Sequence, residues 1–476
     1  MIIFDLINDE APLFIEGIKP LFKEGILEKK NVLGILEGNR WKQESQELEC
    51  VNRLHFFDKL DTQNIDISNE LDRISSEYDN FNIYACDRYL IDKSRVYQEK
   101  FLVYTYLFYE HIFSKKIDCY FTTGIAYTYN LVSYQVAKKY KVKHVSFYGI
   151  RLENRTAISL DVSNTFDEVL EAYKDFELEK VTKEMFIPLD NFVNRPKQPN
   201  YMSNAINSSS LKFIFIKEFF IRFRKYYFEN RHKYDLFTRS PFVLSSFRLN
   251  KIFTAKKINL SHEKLFDKVN YKEKYFIFPL HMQPEGSTLI LAPFDVNQKN
   301  TIINISKLLP PKVYLYVKEH KSALGQHTKS FYKELKKYPN IRLISYRENM
   351  FELIKHCSGT ICLSSTVGLE SLMLKKPTII MGKVFYNDTG LTFKANSFPD
   401  IRECVERILE NNFSVDGYFN NFYDKLAYYL HCLRIKSYPF EFNVAKLDTK
   451  EKVLDEKNIE EFSNCVREIL KNKKQV

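Results

Sequence analysis

Three short polar stretches in the second half of the chain carry the side chains best suited to chemistry. Each follows a predicted buried strand, and they are Pro279–Glu285, Lys318–His320 and Ser364–Glu370. Because the carboxyl ends of parallel strands meet at one edge of a sheet, where open α/β folds bind ligands, we expect the three stretches to converge. The sequence therefore predicts one polar site at this edge.

The third stretch predicts an anion site. Three consecutive hydroxyl residues join a predicted strand to a predicted helix over Val367–Leu374, and they are Ser364, Ser365 and Thr366. Hydroxyl groups and the free N–H groups of a helix start would point at one spot, which suits a phosphate. Such residues also cap helices without any ligand, but Lys318 and His320 at the neighbouring strand end favour the phosphate.

Other polar residues of these stretches are candidate ligands. Glu370, one helical turn beyond Thr366, would accept hydrogen bonds from ribose hydroxyls, or it is a solvated helix residue. His281 is a candidate catalytic residue, although a lone loop histidine is more often structural. Gln283 and Glu285 are candidate substrate ligands in the same loop.

Composition and motif searches exclude several classes of protein. The chain has 476 residues, enough for two domains, and only 13 glycines, with no dinucleotide-binding or P-loop fingerprint. No D-x-D, H-E-x-x-H or G-x-S-x-G motif is present, which argues against metal-dependent sugar transfer, zinc hydrolysis and serine hydrolysis. The eight cysteines form no C-x-x-C pair, so we expect reduced thiols, no metal and no cofactor.

Short apolar runs alternate with helical patterns in two sets along the chain. The first set comprises Asn31–Glu37, Asn82–Cys86, Asp118–Thr123 and His144–Tyr148. The second set comprises Tyr275–Phe278, Lys312–Val317, Ile341–Ile344, Gly359–Leu363 and Pro377–Met381. This alternation is typical of βαβ units, so we predict an α/β fold with two Rossmann-like, doubly wound domains.

The segment between the two sets differs in character. Leu211–Leu260 contains twelve lysines and arginines against three acidic residues, with phenylalanine and tyrosine interleaved. A basic, aromatic helix suits an anionic membrane surface, and an interdomain helix with core aromatics is the competing interpretation. No apolar run is long enough to span a membrane, and Met1–Glu10 does not resemble a secretory signal. The net charge of +11 favours anionic partners without choosing among them.

The first domain supplies carboxylates and arginines after its predicted strands. The carboxylates are Glu37, Asp87 and Glu153, and the neighbouring arginines are Arg88, Arg151 and Arg155. One carboxylate would serve as a base or a nucleophile, although each is more often structural or paired with arginine. The arginines are also candidates to bind the carboxylate of an acidic sugar, because a planar guanidinium matches its geometry.

An ordered set of motifs resembles the bacterial capsule polysaccharide biosynthesis family, which includes Kdo transferases. The motifs are Phe278–Thr288, Leu291–Phe294, Tyr316–His320, Ser364–Glu370 and Val384–Asn387, with weaker likeness in Ala85–Arg88 and Arg151–Arg155. The family often has His-Pro where this chain has His320-Lys321. The resemblance implies a GT-B glycosyltransferase, in which two Rossmann-like domains face each other across a cleft. The second domain would hold the donor nucleotide, often CMP, and the first the acceptor.

These observations together predict a glycosyltransferase of bacterial surface polysaccharide synthesis. We expect domains at 1–200 and 266–395, a basic helical segment at 201–265 and C-terminal helices at 396–476. The expected donor is a CMP-linked ulosonic or nonulosonic acid, and the acceptor a glycan or lipid-linked glycan. We expect a cytoplasmic protein, peripheral at the inner membrane face through 211–260. The alternatives are a sugar-nucleotide epimerase or hydrolase, and a non-catalytic protein that binds anionic membranes or nucleic acid.

Overall fold

The chain forms two compact units. The computed structural model describes residues 1–79, 83–124, 126–150, 152, 154–161, 165–196, 214–228, 232–237, 239–442 and 453–471. Unit 1 comprises Met1–Asp167, Lys225–Thr238 and Arg434–Val476. Unit 2 comprises Glu168–Arg224 and Arg239–Leu433. The chain therefore leaves unit 1, returns to it briefly and ends in it.

A six-stranded sheet forms the centre of each unit. The strands of unit 1 are β1 (Ile2–Asp5), β2 (Val32–Leu36), β3 (Glu49–Asn52), β4 (Cys119–Thr123), β5 (Lys143–Gly149) and β6 (Thr156–Ser159). The strands of unit 2 are β7 (Lys274–Pro279), β8 (Val313–Lys318), β9 (Ile341–Ile344), β10 (Gly359–Cys362), β11 (Thr378–Ile380) and β12 (Phe393–Lys394).

Helices connect and cover the strands. In the first third of the chain they are α1 (Ala11–Lys23), α2 (Arg53–Asp61), α3 (Ile67–Glu77), α4 (Arg95–Phe113) and α5 (Thr128–Tyr140). The middle of the chain forms α6 (Asp167–Lys174), α7 (Lys183–Asn194), α8 (Ile214–Phe228), α9 (Pro241–Leu260), α10 (His262–Leu265), α11 (Gly286–Leu289), α12 (Gln298–Leu308) and α13 (Lys329–Leu335). The remainder forms α14 (Met350–His356), α15 (Val367–Met373), α16 (Phe398–Ile408), α17 (Val415–Phe419), α18 (Phe422–Ile435) and α19 (Glu456–Lys471).

Both sheets have the same strand order. In unit 1 the order is β3-β2-β1-β4-β5-β6. In unit 2, read from the opposite side of the sheet, it is β9-β8-β7-β10-β11-β12, so each strand occupies the same place as its counterpart. All neighbouring strands are parallel except β5 and β6. This is the doubly wound Rossmann order, in which the chain direction across the sheet reverses between the first and fourth strands. The predicted fold class of two doubly wound α/β units is confirmed, and the switch points are β1/β4 and β7/β10.

The apolar strands of unit 2 are buried on both faces. Strand β7 is buried from Tyr275 to Pro279, because helices cover both sides of a parallel sheet. The rings of Tyr275 and Tyr316 on neighbouring strands stack with centroids 3.9 Å apart. The Tyr275 hydroxyl donates to the carbonyl of Leu353 at 2.8 Å, which satisfies its polar end inside the core. This packing fixes the strand ends that form the edge of the sheet.

Some predicted elements differ from the structure. The described part of the predicted strand Asn82–Cys86 is a 3₁₀ turn over Ile83–Cys86. Strands β1, β3, β6 and β12 were not predicted. Of the predicted basic segment, residues 211–213, 229–231 and 238 lie outside the described residues, as does most of the predicted linker at 196–200.

The C-terminal helix α19 packs on α1 within unit 1. Phe462 stacks on Phe14 with ring centroids 5.5 Å apart and lies against Gly17. The Ser463 hydroxyl donates to the Gly17 carbonyl at 2.6 Å, and Arg467 pairs with Glu24 at 2.7 Å. The absence of a side chain at position 17 is what lets the two helices approach.

We predict that Gly17→Ala destabilises unit 1. A Cβ at position 17 would lie 2.1 Å from Cδ1 of Phe462, so the ring and α19 must shift. Overpacking of this kind costs about 1–3 kcal/mol of unfolding free energy, which urea denaturation would measure. The double variant Gly17→Ala/Phe462→Leu should lose less stability than the two single losses added together. Additive losses would show that the two residues do not compete for the same space.

Candidate functional site

A cavity of about 110 Å³ lies within unit 2 at the carboxyl ends of its central strands. Its polar wall comes from the ends of β8 and β10, and it comprises Lys318, Glu319, His320, Lys321, Ser365, Thr366 and Glu370. Its apolar wall follows β7 and β9, and it comprises Leu280, Tyr346, Met350 and Phe351. Five of the residues predicted to bind the donor thus share one cavity beside the β7/β10 switch point.

Lys318 places a buried ammonium group in the cavity wall. Its side chain is 5% exposed, and its Nζ lies 3.4 Å from the Glu319 carbonyl oxygen. Burial lowers the pKa of Lys318 to about 8, although the charge of Glu319 opposes this shift. The group is therefore mostly charged at neutral pH. A buried cation is costly unless an anion accompanies it, so the cavity favours a negatively charged ligand.

Glu319 supports the loop that carries His320. Its carboxylate accepts hydrogen bonds from the backbone N–H of His320 at 2.7 Å, from His327 and from the Tyr332 hydroxyl. Burial would raise the pKa of Glu319, but the bonds from His327, Tyr332 and the backbone outweigh it and lower the pKa. The carboxylate of Glu319, which also lines the cavity, is thus a fixed, ionised support for this loop rather than a free acid or base.

The hydrogen bonds of His320 assign its tautomer. Its Nδ1 accepts the backbone N–H of Ser322 at 3.2 Å, so in the neutral ring Nε2 carries the proton. Burial lowers the pKa of His320; the charge of Glu319 opposes this shift, and the charges of Lys318 and Lys251 add to it. At neutral pH the ring is therefore neutral, and it presents an Nε2–H donor from the wall of the cavity.

The turn after β10 is held mainly by hydrogen bonds within the protein. The Ser364 hydroxyl donates to the Ser287 carbonyl, and Ser364 does not line the cavity. The Ser365 hydroxyl accepts the Val367 N–H at 3.2 Å, and the Tyr386 hydroxyl donates to the Ser365 carbonyl. Helix α15 has only seven residues, so its dipole is small. We therefore expect Lys318 and His320 to attract an anion more strongly than the predicted helix start does.

The loop after β7 does not bring its three predicted site residues, His281, Gln283 and Glu285, to the wall of the cavity. His281 is 8% exposed, its ring Nε2 has no hydrogen-bond partner among the described residues, and it does not line the cavity. Burial, together with the charge of His320, lowers the pKa of His281 to about 4, so the ring is neutral at neutral pH, and its predicted catalytic role stays a prediction. The Gln283 amide donates to the Val296 carbonyl at 2.7 Å. Glu285 precedes α11, and its carbonyl accepts the Thr288 hydroxyl.

Three candidates in unit 1 have structural partners. Both carboxylate oxygens of Asp87 accept backbone N–H groups, from Tyr89 at 2.7 Å and from Thr128 at 2.8 Å, which fixes the start of α5. The Arg88 guanidinium donates to the Tyr127 hydroxyl at 2.6 Å and lies over its ring.

Arg155 donates to the Ser437 hydroxyl at 2.8 Å and to the Arg434 carbonyl, which holds the C-terminal segment in unit 1. Its Nε and one terminal nitrogen are thus engaged within the protein, and its role in binding an acidic sugar stays a prediction. Two other candidates of this domain, Arg151 and Glu153, lie outside the described residues.

A buried charged cluster lies at the edge of the unit 1 sheet. Asp5 ends β1, Glu37 follows β2 and Arg53 follows β3; Arg53 donates to Glu37. Asp5 accepts the hydroxyls of Tyr120 and Thr122 at 3.0 and 2.9 Å. Burial raises the pKa of Asp5 to about 6 and that of Glu37 to about 7, although Arg53 opposes both shifts. Each carboxyl keeps one oxygen without a partner among the described residues.

Asp5 was missed because β1 was missed. The signal is present in the sequence, since the apolar run Ile2–Phe4 is followed directly by an acid, as at the carboxyl end of a buried strand. For metals, the described residues contain no group of three or more His, Cys, Asp or Glu side chains placed to hold an ion.

Comparison with known proteins identifies the region that contains the cavity. Residues 246–407, about a third of the chain, match the family described as capsule polysaccharide biosynthesis protein. The resemblance predicted from the motifs is therefore confirmed for this region. No curated protein sequence matches the chain.

Solved structures align with the chain only loosely. Thermosulfurimonas dismutans KpsC, a beta Kdo 2,7 transferase, has 11% identity and a TM-score of 0.30, covering 66% of this chain and 88% of that one. UDP-GlcNAc 2-epimerase from Methanocaldococcus jannaschii has 14% identity and a TM-score of 0.25, covering 91% and 98%. At these TM-scores the overlap does not distinguish between transferases and epimerases.

We predict that nucleotide affinity falls as pH rises through about 8. Lys318 loses its charge above its lowered pKa, and with it the attraction for a phosphate. Titration calorimetry with CMP and UDP between pH 6.5 and 9.5 would measure the effect. Lys318→Met should weaken binding roughly ten- to a hundredfold at neutral pH, the range for a hydrogen bond to a charged group.

Lys318→Arg is the matched control, because a guanidinium stays charged over this range. Its affinity should depend little on pH above 7. Wild-type affinity that stays constant from pH 7 to 9 would contradict a role for Lys318 in phosphate binding.

Proposed function

We propose that this protein is a glycosyltransferase of bacterial surface polysaccharide biosynthesis. In this proposal unit 2 binds a nucleotide-sugar donor and unit 1 binds the acceptor. The observation that carries it is the cavity of unit 2, in which a buried cation and an N–H donor share one wall. The cavity lies within the residues that match the capsule polysaccharide family.

The cavity suits the chemistry of a departing nucleotide. Glycosyl transfer develops negative charge on the leaving phosphate, and fixed donors in a buried site stabilise that charge without reorganising. Lys318 supplies the cation and His320 the Nε2–H, both held by Glu319 and the neighbouring backbone. The apolar wall, which includes Tyr346 and Phe351, suits the flat face of a nucleobase. Glu370 in the opposite wall suits ribose hydroxyls.

The finer identity of the substrates belongs to the same proposal. We take the donor to be a CMP-linked ulosonic or nonulosonic acid and the acceptor to be a glycan or lipid-linked glycan, as the family resemblance implies. Transfer is proposed to need no metal, and the protein to act in the cytoplasm at the inner face of the membrane.

Glu37 is the carboxyl group of unit 1 that best fits an acid–base role. Asp87 has both oxygens engaged by backbone N–H groups, whereas Glu37 keeps one oxygen unbonded and has a pKa raised to about 7. An acceptor hydroxyl needs a base in an inverting reaction, and a retaining reaction needs a nucleophile. Either role requires the ionised carboxylate, which forms as pH rises past neutrality.

The decisive test is a panel of CMP-, UDP- and GDP-sugars. A donor should raise the thermal unfolding temperature, because ligands of the native state stabilise it. Sugar should then be transferred only when an acceptor glycan is present. A product formed without any acceptor would instead identify an epimerase or hydrolase, and no stabilisation by any nucleotide sugar would refute the proposal.

We predict that His320→Ala lowers the rate of transfer on the order of 10²-fold, the usual loss for one donor to a developing charge. Initial rates with a saturating acceptor would measure it. His320→Asn is the matched control for folding, because its side chain still accepts the Ser322 N–H at the start of the turn. Full activity in both variants would remove His320 from the site.

For Glu37, we predict that kcat/KM of the wild type rises with pH through about 7, because only the ionised carboxylate acts. Glu37→Gln should lower kcat and remove this rise, while circular dichroism shows the fold intact. Asp87→Asn is the comparison, expected to reduce stability through the start of α5 without changing the pH profile. An unchanged profile in Glu37→Gln would assign Glu37 to structure alone.

A further inference from the structure

Helices α8 and α9 expose an unusual amount of apolar surface. Of the twenty-one exposed large apolar side chains in the described part of the chain, eleven lie on these two helices. The exposed fraction is 63% for Phe220, 57% for Phe247 and 89% for Leu260. Concentrated apolar exposure of this kind marks a surface that contacts something else. We call the exposed side chains of α8 and α9 the docking surface.

The docking surface is continuous along α9. Phe242, Leu249, Phe253 and Leu260 follow one another at spacings of seven, four and seven, which places them on one side of the helix. The opposite side bears Ile252, Ala255 and Ile258, which are buried.

Helix α8 packs beside α9, since the Phe219 ring lies 5.4 Å from that of Phe242. Some aromatic residues of the basic segment 211–260 are thus packed between the two helices, and others are exposed.

Basic residues accompany the apolar side chains. The two helices contain eight lysines and arginines and a single acid, Glu218, so they carry +7 of the chain's net charge of +11. Arg222, Arg224, Lys256 and Lys257 are exposed. Apolar residues on the outer side of a helix with lysine and arginine around them are the pattern of a helix that lies in a membrane interface.

We propose that α8 and α9 dock this protein on the surface of an anionic phospholipid bilayer. The outward phenylalanines and leucines enter the interface, and the lysines and arginines contact the headgroup phosphates. A nucleic acid would be contacted mainly by cations and would leave the apolar stripe uncovered. No helix in the described part of the chain is long and apolar enough to cross a bilayer.

The docking helix also supports the candidate site. Lys251 on the inner side of α9 donates to the Ser322 carbonyl at 2.9 Å, and Ser322 donates to His320. Docking through α9 therefore holds the His320 loop at a fixed height above the lipid. The importance of this position for the site rests on the proposed function, in which a lipid-linked acceptor would lie at the same bilayer surface. The docking itself does not depend on it.

Cosedimentation of the full chain with vesicles tests the proposal. The vesicles contain phosphatidylcholine alone or an equimolar mixture of phosphatidylcholine and phosphatidylglycerol. We expect binding to the mixed vesicles, weaker binding to the neutral ones, and a loss of binding as salt is raised. Equal binding to both kinds of vesicle, or none to either, would overturn the proposal.

Surface variants locate the contact. Leu249→Ser/Phe253→Ser and Lys256→Glu/Lys257→Glu should each weaken binding to the mixed vesicles at least about tenfold. Phe294→Ser and Lys333→Glu are matched controls, because Phe294 is 98% exposed outside the docking surface and Lys333 is exposed on α13. A control that loses as much binding as the docking variants would refute the assignment to α8 and α9.

Two further measurements separate this proposal from other outcomes. Thermal stabilisation by CMP and UDP should be the same in the docking variants and the wild type, so loss of docking is distinguished from failure of the nucleotide site. Analytical ultracentrifugation without lipid should show the same association state for the wild type and the docking variants. The wild type should not self-associate through the docking surface. Such self-association would identify the surface as a contact between copies of this chain and overturn membrane docking.

Discussion

The candidate site depends on one constraint, the presence of an ammonium group in the buried edge of a parallel sheet. Lys318 is the last residue of β8, where the sheet gives way to loops and backbone groups become free. Burial makes its charge expensive, and the ionised Glu319 beside it recovers part of that cost. Glu319 is in turn held by Tyr332, His327 and the backbone. The cation is therefore preserved, and within the described residues it has no direct ion pair, so its charge remains to attract a ligand.

The two sheets share a strand order but differ in the charge of their edges. At the carboxyl edge of unit 2 the central strands end in Lys318 and His320, donors that suit a phosphate. At the corresponding edge of unit 1 they end in Asp5 and Glu37, which share the single guanidinium of Arg53. Burial is the main physical reason that the pKa values of both carboxyl groups are raised, and the charge of Arg53 opposes both shifts. The same topology thus places donors at the carboxyl edge of one sheet and buried carboxyl groups at that of the other, which is the basis of the different roles we propose for the two units.

Much of the fold could be predicted from sequence, because long buried runs and their spacing are local signals. The predicted strand at Ile341–Ile344 has the observed bounds, and the other predicted strands of unit 2 differ by one or two residues. Site residues were predictable where a strand end fixed them, as for Lys318 and His320. Site residues could not be predicted where their hydrogen-bond partners lie far away in the sequence. Nothing local to Arg155 shows that Ser437, 282 residues away, occupies its guanidinium.

Helix α9 illustrates why composition alone left its role open. Its sequence is apolar and basic around its whole circumference, so periodicity did not separate a core face from an outer one. The structure separates them through tertiary contacts: Ile258 joins the core of unit 2, and the Lys251 amino group binds the Ser322 carbonyl. Burial lowers the pKa of Lys251, which further marks it as a structural cation rather than one that faces solvent. In the proposed docking, the exposed Lys256 and Lys257 would attract the anionic bilayer, whereas Lys251 joins the helix to the loop of His320.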